Sequence, residues 1–319
     1  MRIDIHCHII GNGSGNTGCK LILPRHRELH GRYMLRHLGL PQSCLYKNLD
    51  ELYVGRMREM IDNSTLDKAV ILAHENTYDN QGKLIENYSP FYVPNSYVLR
   101  LAKSHKQFLA GVSIHPGKNN AIEELTESIG AGAALMKCLP NVQNINCSDK
   151  RYDKFWEIMA ASGLPLLAHT GGEFSLPVFN KHYEDPAILR RPLEIGVKVI
   201  AAHAASPSAP WQTNYIPKLV SMMNEFPNLY ADNSALNTPL RAAAIKDTLK
   251  EPLASRIVYG SDLPIPISAL WTWMRGMVSW GDYRKIDKDR NILARDVKLK
   301  EHLGYSEQTF TRGAELINQ

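Results

Sequence analysis

The sequence predicts an α/β fold, a (β/α)8 (TIM) barrel with its chemistry at the carboxyl ends of the strands. Three observations carry the prediction. Eight short apolar runs recur along the chain, each parted from the next by helical or loop material, which is the pattern of a parallel sheet. The length, 319 residues, suits a barrel built as one domain over 1–319. Five of the runs also bear residues able to do chemistry at or near their ends: His6 and His8, Lys137, His169, His203 and Asp262. A doubly wound open sheet is the alternative arrangement of the same elements.

The first run, Met1 to His8, alternates Ile3, Ile5 and Cys7 against Asp4, His6 and His8, which places both imidazoles on one face of a strand. Two imidazoles at i and i+2, leading into a glycine-rich loop, can reach one metal ion, although the pair alone is equally a strand without metal. A long loop follows over about 11–47, rich in arginine and histidine between Arg25 and His37. It could close over an anionic substrate; a solvated basic loop is the plainer reading. Asn48 with Glu51 three residues on marks a helix start, and Leu49, Tyr53, Met57, Met60 and Ile61 give that helix one apolar face.

Lys68 to His74 is a continuous apolar run, as expected of a strand buried on both faces. A helix over Ser96 to Ser104 leads to the strand Phe108–His115, and Ile122, Leu125 and Ile129 mark a helix before Ala133–Leu139. Phe155, Ile158 and Met159 precede Leu164–His169; Val197–His203 follows, then a helix near Ile216–Phe226 and the strand Asn228–Asp232. Arg256–Asp262 is the eighth strand. A second long loop, about 264–301, is aromatic (Trp271, Trp273, Trp280) and then charged, and reads as an excursion over the barrel mouth. Ser306 is placed to cap a last helix that turns Phe310, Ala314 and Ile317 inward.

Composition narrows the functional class. A net charge of +5, dispersed along the chain, argues against nucleic acid as a partner. No stretch approaches the ~18 uninterrupted apolar residues of a membrane span. The five cysteines form no CxxC pair, and the N-terminus reads directly into a strand without the pattern of a signal peptide. Free thiols in a reducing cytoplasm are therefore expected.

The motifs IDIHCHI, LMKCLP, PLLAHTGG, VIAAHAA and VYGSDLP lie in order over nearly the whole chain, and with them the sequence resembles the amidohydrolase superfamily, most closely its amidohydrolase-related (amidohydrolase 2) branch of decarboxylases, hydratases and hydrolases. The resemblance implies a metal-dependent barrel enzyme acting on a small molecule, with a homodimer as the commonest assembly. It implies that His6 and His8, His169 and Asp262 are metal ligands, Asp262 also shuttling a proton. His203 matches a residue that ligates a second ion in two-metal members and acts as a general acid/base in one-metal members. Lys137 divides these readings. Carboxylated, it would bridge two ions; as an ammonium it would pair with a substrate carboxylate; or it is structural. Cys138 and Leu139 depart here from the histidine and proline that related proteins often carry, which leaves the choice open.

One or two divalent ions are thus expected, zinc first by ligand type, with manganese or iron also compatible. A bound ion would lower the pKa of its water from 15.7 toward roughly 7, and Asp262 would take the released proton. Asp262 has a plainer reading as a helix cap or surface residue. His74 and His115, which also end strands, are either packing histidines or substrate contacts, and Glu75 and Glu173 are placed to orient ligands or substrate. The leading expectation is hydrolysis of an amide, lactone or ester. The alternative is a one-metal decarboxylase or hydratase of an acidic metabolite with His203 as acid/base. A barrel that keeps these residues without catalysis is a third reading.

Overall fold

A computed structural model of the chain describes residues 1–317. Eight parallel strands run in sequence order: β1 (Ile3–His8), β2 (Lys68–Leu72), β3 (Phe108–Val112), β4 (Ala133–Cys138), β5 (Leu166–Ala168), β6 (Val199–Ala201), β7 (Leu229–Asp232) and β8 (Ile257–Val258). The eighth returns to the first, where Ile5 N donates to Tyr259 O (3.1 Å) and His8 N to Leu263 O (2.8 Å). The fold is the (β/α)8 barrel that the alternation predicts.

Alternate residues divide between two cores, as a pleated strand requires. Val70, Leu72, Leu109, Leu135, Leu167, Ile200 and Val258 fill the barrel interior together with Ile3 and Ile5, and Leu316 and Ile317 of the last segment join them. The opposite faces, including Ala69, Ile71, Ala110, Val112, Met136 and Val199, pack in the larger core that also holds Tyr53, Met57, Phe155 and Met159 of the surrounding helices.

β1 breaks the expected alternation. Asp4 pairs with Ala69 but Cys7 with Ile71, so the strand carries one extra residue between them, a β-bulge. Ile3 and Ile5 therefore join the barrel core while His6 and His8 meet the other candidate residues at its mouth. Asp4 is buried elsewhere, accepting from Ser261 N (3.0 Å) and from the Cys7 thiol (3.0 Å). Strict two-residue periodicity had set Ile3 and Ile5 opposite to both histidines; the bulge puts all four to use.

The two long segments are more ordered than loops. Residues 11–47 contain a helix over Arg25–His37 and a short helical turn over Gln42–Tyr46. Lys20–Leu21 pairs antiparallel with Phe91–Tyr92 in a small ribbon. The helix escapes sequence reading because only Leu35 in it is buried, so its charged faces dilute the apolar period. Residues 264–301 hold helices over Leu270–Met274, Trp280–Asp287 and Ile292–His302. Only their leading residues Pro264 and Ile265 reach the barrel mouth. The rest forms a satellite core of Ala269, Val278, Ile286 and Leu299 and packs on the helix Leu49–Asp62, which corrects the expected excursion over the mouth. Trp273, Trp280 and Tyr283 pack on one another there. Asn48 and Ser306 stand at the helix starts expected of them, yet neither side chain makes a capping bond.

Candidate active site

At the carboxyl ends of the strands, His6 Nε2 lies 3.2 Å from His8 Nε2, 3.2 Å from Asp262 Oδ1 and 3.2 Å from Lys137 Nζ. His8 Nε2 is 3.4 Å from the same carboxylate oxygen. His6, His8 and Asp262 form a compact group of potential metal ligands. The His6 and His203 ring centres are 5.3 Å apart, and those of His203 and His169 5.0 Å apart. All six predicted residues thus line one cavity.

Backbone geometry sets these side chains. Gly260 passes so close to β1 that a Cβ on it would stand 2.9 Å from His6 Cβ and 3.1 Å from Ser234 Cβ. Only glycine lets the two strands meet here. Asp262 holds the left-handed conformation (φ 65°) and donates its N–H to His6 O at 2.9 Å. After β6, His203, Ala204 and Ala205 are all left-handed, with φ of 58°, 49° and 55°. Strain of this kind at non-glycine residues costs of order 1–3 kcal/mol each and concentrates at functional sites.

Asp232, at the end of β7, organises the cluster. Its Oδ2 accepts from His6 Nδ1 at 2.7 Å, and its Oδ1 accepts from His203 N (2.7 Å), Ser234 N (3.0 Å) and Ser234 Oγ (2.5 Å). The Ser234 hydroxyl also reaches His6 Nδ1 (3.0 Å) and His203 Nδ1 (2.8 Å). A proton on His6 Nδ1 leaves Nε2 as a lone pair facing His8 and Asp262, the arrangement of a metal-ligating histidine held by a carboxylate. His6, His203 and Asp232 also form a compact group. We assign Asp232 to orientation, since its oxygens are already taken by four donors. Neither Asp232 nor Ser234 was singled out from sequence. Asp232 ends its strand just as the named residues do, so the strand-end rule could have found it; nothing marked Ser234.

The donors suit a divalent cation. Burial, then the neighbouring Lys137, pushes His6 down to about 4, and burial holds His169 and His203 well below the usual histidine range, so all three imidazoles are neutral near pH 7. Burial alone would raise Asp262, but His6, His8 and Lys137 beside it hold it at about 2, an ionised carboxylate. His169 Nε2 is buried without a hydrogen-bond partner and points to within 3.5 Å of Glu173 Oε2. An imidazole nitrogen without a partner, in the cavity that His6, His8 and Asp262 also line, is a donor a divalent cation could use. Lys137, 1% exposed, is lowered by burial, which favours the neutral amine that carboxylation needs.

His74 also faces the cavity; it is 1% exposed, and neither ring nitrogen has a partner. Glu173 lines the cavity too. His115 does not reach it. That residue lies past the end of β3 between Tyr78 and Tyr152, with Nδ1 accepting from Gly117 N at 3.0 Å, so the substrate contact expected of it is not made from there. Glu75 is likewise occupied elsewhere, pairing with Lys118 Nζ at 2.7 Å.

Fold and site together define a barrel enzyme with a histidine- and carboxylate-rich centre at the strand ends. A family model described as Amidohydrolase matches residues 3–275, and the chain belongs to that family, which is metal-dependent. Its members act on small molecules and include hydrolases and decarboxylases. No curated protein matches the chain significantly in sequence. Among solved structures, the fold is similar to an uncharacterized TIM-barrel protein of Bordetella bronchiseptica, with 20% identity, 95% of this chain and 99% of that chain covered, and a TM-score of 0.58. It is also similar to the IDCase of Metarhizium anisopliae (10% identity, 100% and 98% covered, TM-score 0.55). A third neighbour is described as a probable 2-pyrone-4,6-dicarboxylic acid hydrolase of Acinetobacter baumannii (13% identity, 95% and 99% covered, TM-score 0.52). Identities this low speak for the shared fold alone. Among the described residues no helix is long and apolar enough to cross a membrane.

Proposed function

We propose that the protein is a metal-dependent hydrolase of an amide, lactone or ester bond in a small molecule. The observation that carries the reading is Asp262, ionised, 12% exposed at its side chain to the cavity, and within 3.4 Å of both β1 histidines. His6, His8 and Asp262 would hold the ion, with His169 completing the set from β5. Imidazole and carboxylate donors suit zinc first and manganese or iron next. Such an ion would polarise the scissile carbonyl and supply a water acidic enough to deprotonate near pH 7. The Asp262 carboxylate takes the proton of the attacking water on the oxygen not turned to His6 and His8 and returns it to the departing nitrogen or oxygen, work worth about 10²–10⁴ in rate. Asp232 keeps His6 in the tautomer that offers Nε2. Lys137, buried beside His6 Nε2, serves either as a carboxylated ligand or as the cation facing a substrate anion.

A second reading, decarboxylation or hydration with one ion, is favoured by one observation. His6, His8 and Asp262 form one compact ligand group, enough for a single ion, while His203 groups instead with His6 and Asp232, whose carboxylate is already bonded to both. In that case the neutral imidazole of His203, held at Nδ1 by Ser234, exchanges a proton with the substrate carbon.

Metal content by elemental analysis of protein purified without chelator separates the readings. Two ions per chain support the carboxylated lysine and hydrolysis; one ion moves weight to the lyase. A panel of amides, lactones and esters, run beside carboxylic acids assayed for carbon dioxide release, then tests the reaction. Hydrolysis that falls about 10²–10⁴-fold in Asp262→Asn with metal retained is expected. Carbon dioxide release with no hydrolysis would overturn the leading reading.

A further inference from the structure

The cavity above the cluster has a volume of about 870 Å³, at the upper end of ordinary small-molecule sites. The strand-tip cluster lines it, as do His26, Arg27 and His30 of the helix Arg25–His37. Its apolar wall comes from four separate segments: Leu21, Leu23 and Met34, then Phe91, then Leu176, then Ile265 after β8. The helix Arg25–His37 turns the face bearing Arg27, His30, Gly31 and Met34 toward the space. Gly31 lets that helix seat on the Leu23 side chain, since a Cβ there would meet Leu23 Cδ1 at 2.9 Å. Arg27 ties the helix across the mouth by donating to Ser175 O.

At the floor, His74 contributes a neutral imidazole with two unpartnered nitrogens, packed against Phe91 at 4.9 Å between ring centres. A buried polar group without a partner, at the junction between the polar floor and the apolar wall, is placed to receive one oxygen of a ligand. The guanidinium lining the cavity, Arg27, already donates to Ser175 O, and Leu21, Leu23, Met34, Phe91 and Leu176 carry no charge.

We infer that the substrate is an amphipathic monoacyl compound: one carbonyl or carboxylate head seated among Lys137, His74 and the strand-end cluster, and an extended aliphatic or aromatic body lying along Leu21, Leu23, Met34, Phe91 and Leu176. This rests on the proposed function for the position of the head but not for the type of reaction. A small, highly charged di- or tricarboxylate would leave the apolar residues uncovered and set its further charges against them.

Calorimetric binding of straight-chain monocarboxylates from acetate to octanoate, and of dicarboxylates of matched length, tests the inference on the metal-loaded protein. Each added methylene is expected to tighten binding by about fourfold until the wall is covered, with an increasingly negative heat-capacity change. Met34→Asp should flatten that series. Ile22→Asp, at a position 46% exposed that also lines the cavity, is a second variant that should flatten the series and is expected to fold, since the charge can reach water. Affinity that stays level with chain length, or dicarboxylates that bind tighter than monocarboxylates of the same length, would overturn the inference. A rising series in a protein that hydrolyses nothing would sink the hydrolase reading and leave this one standing.

Discussion

Replacing Asp232 with asparagine tests the site at its most constrained point. The carboxylate is fully buried and accepts from four donors, one on Oδ2 and three on Oδ1. An amide has one acceptor and one donor end, so no orientation satisfies both sides. If the amide oxygen faces His203 N and Ser234, its NH2 faces His6 Nδ1. The imidazole must then move its proton to Nε2, which removes the lone pair directed at His8 and Asp262. If the amide is flipped, the NH2 meets the N–H groups of His203 and Ser234, and two buried donors lose their partner at about 1–3 kcal/mol each. Loss of an orienting partner of this kind costs about 10–100-fold in metal affinity, or roughly 1.4–2.8 kcal/mol. Competition against a chelating dye measures that affinity, and urea unfolding of the metal-free protein measures the structural part. Metal affinity within twofold of the parent, with the fold intact, would refute Asp232 as the residue that orients His6.

Three further outcomes follow from the same geometry. Gly260→Ala sets a methyl 2.9 Å from His6 Cβ; it should cost about 1–3 kcal/mol in urea unfolding and reduce bound metal in elemental analysis. Lys300→Met removes the cation that bonds Asp296 Oδ2 and Gly260 O, both at 2.7 Å, and leaves Asp296 buried without its counter-charge. A loss of about 3–5 kcal/mol is expected, and pairing it with Asp296→Asn should recover part of that in a double-mutant cycle. His6→Ala should lose metal and activity together, and full metal occupancy in that variant would contradict its place as a ligand.

How far sequence could see into this protein depends on the range of the interaction. The barrel was legible because strand burial is written locally: Lys68–His74 is apolar throughout since both its faces are covered, and each later strand repeats the pattern. His6, His8, Lys137, His169, His203 and Asp262 were legible for a related reason. In a parallel barrel every strand ends on the same side, so residues far apart in sequence converge once the strands are counted.

What tertiary structure alone decided is how those residues are held and what surrounds them. The bulge in β1 depends on its register against β2, which no periodicity within β1 records. The bond from Asp232 to His6 spans 226 residues, and the need for glycine at 260 arises from its close approach, just after β8, to His6 of β1 and Ser234 after β7, so neither leaves a local trace. The helix Arg25–His37 looked like a basic loop because its stability comes from seating Leu35 on the larger core, and the cavity wall it builds is completed by segments near residues 21, 91 and 176. Chemistry at strand ends follows from chain direction, which a sequence carries; the shape of the cavity follows from packing between distant segments, which exists only once the chain has folded.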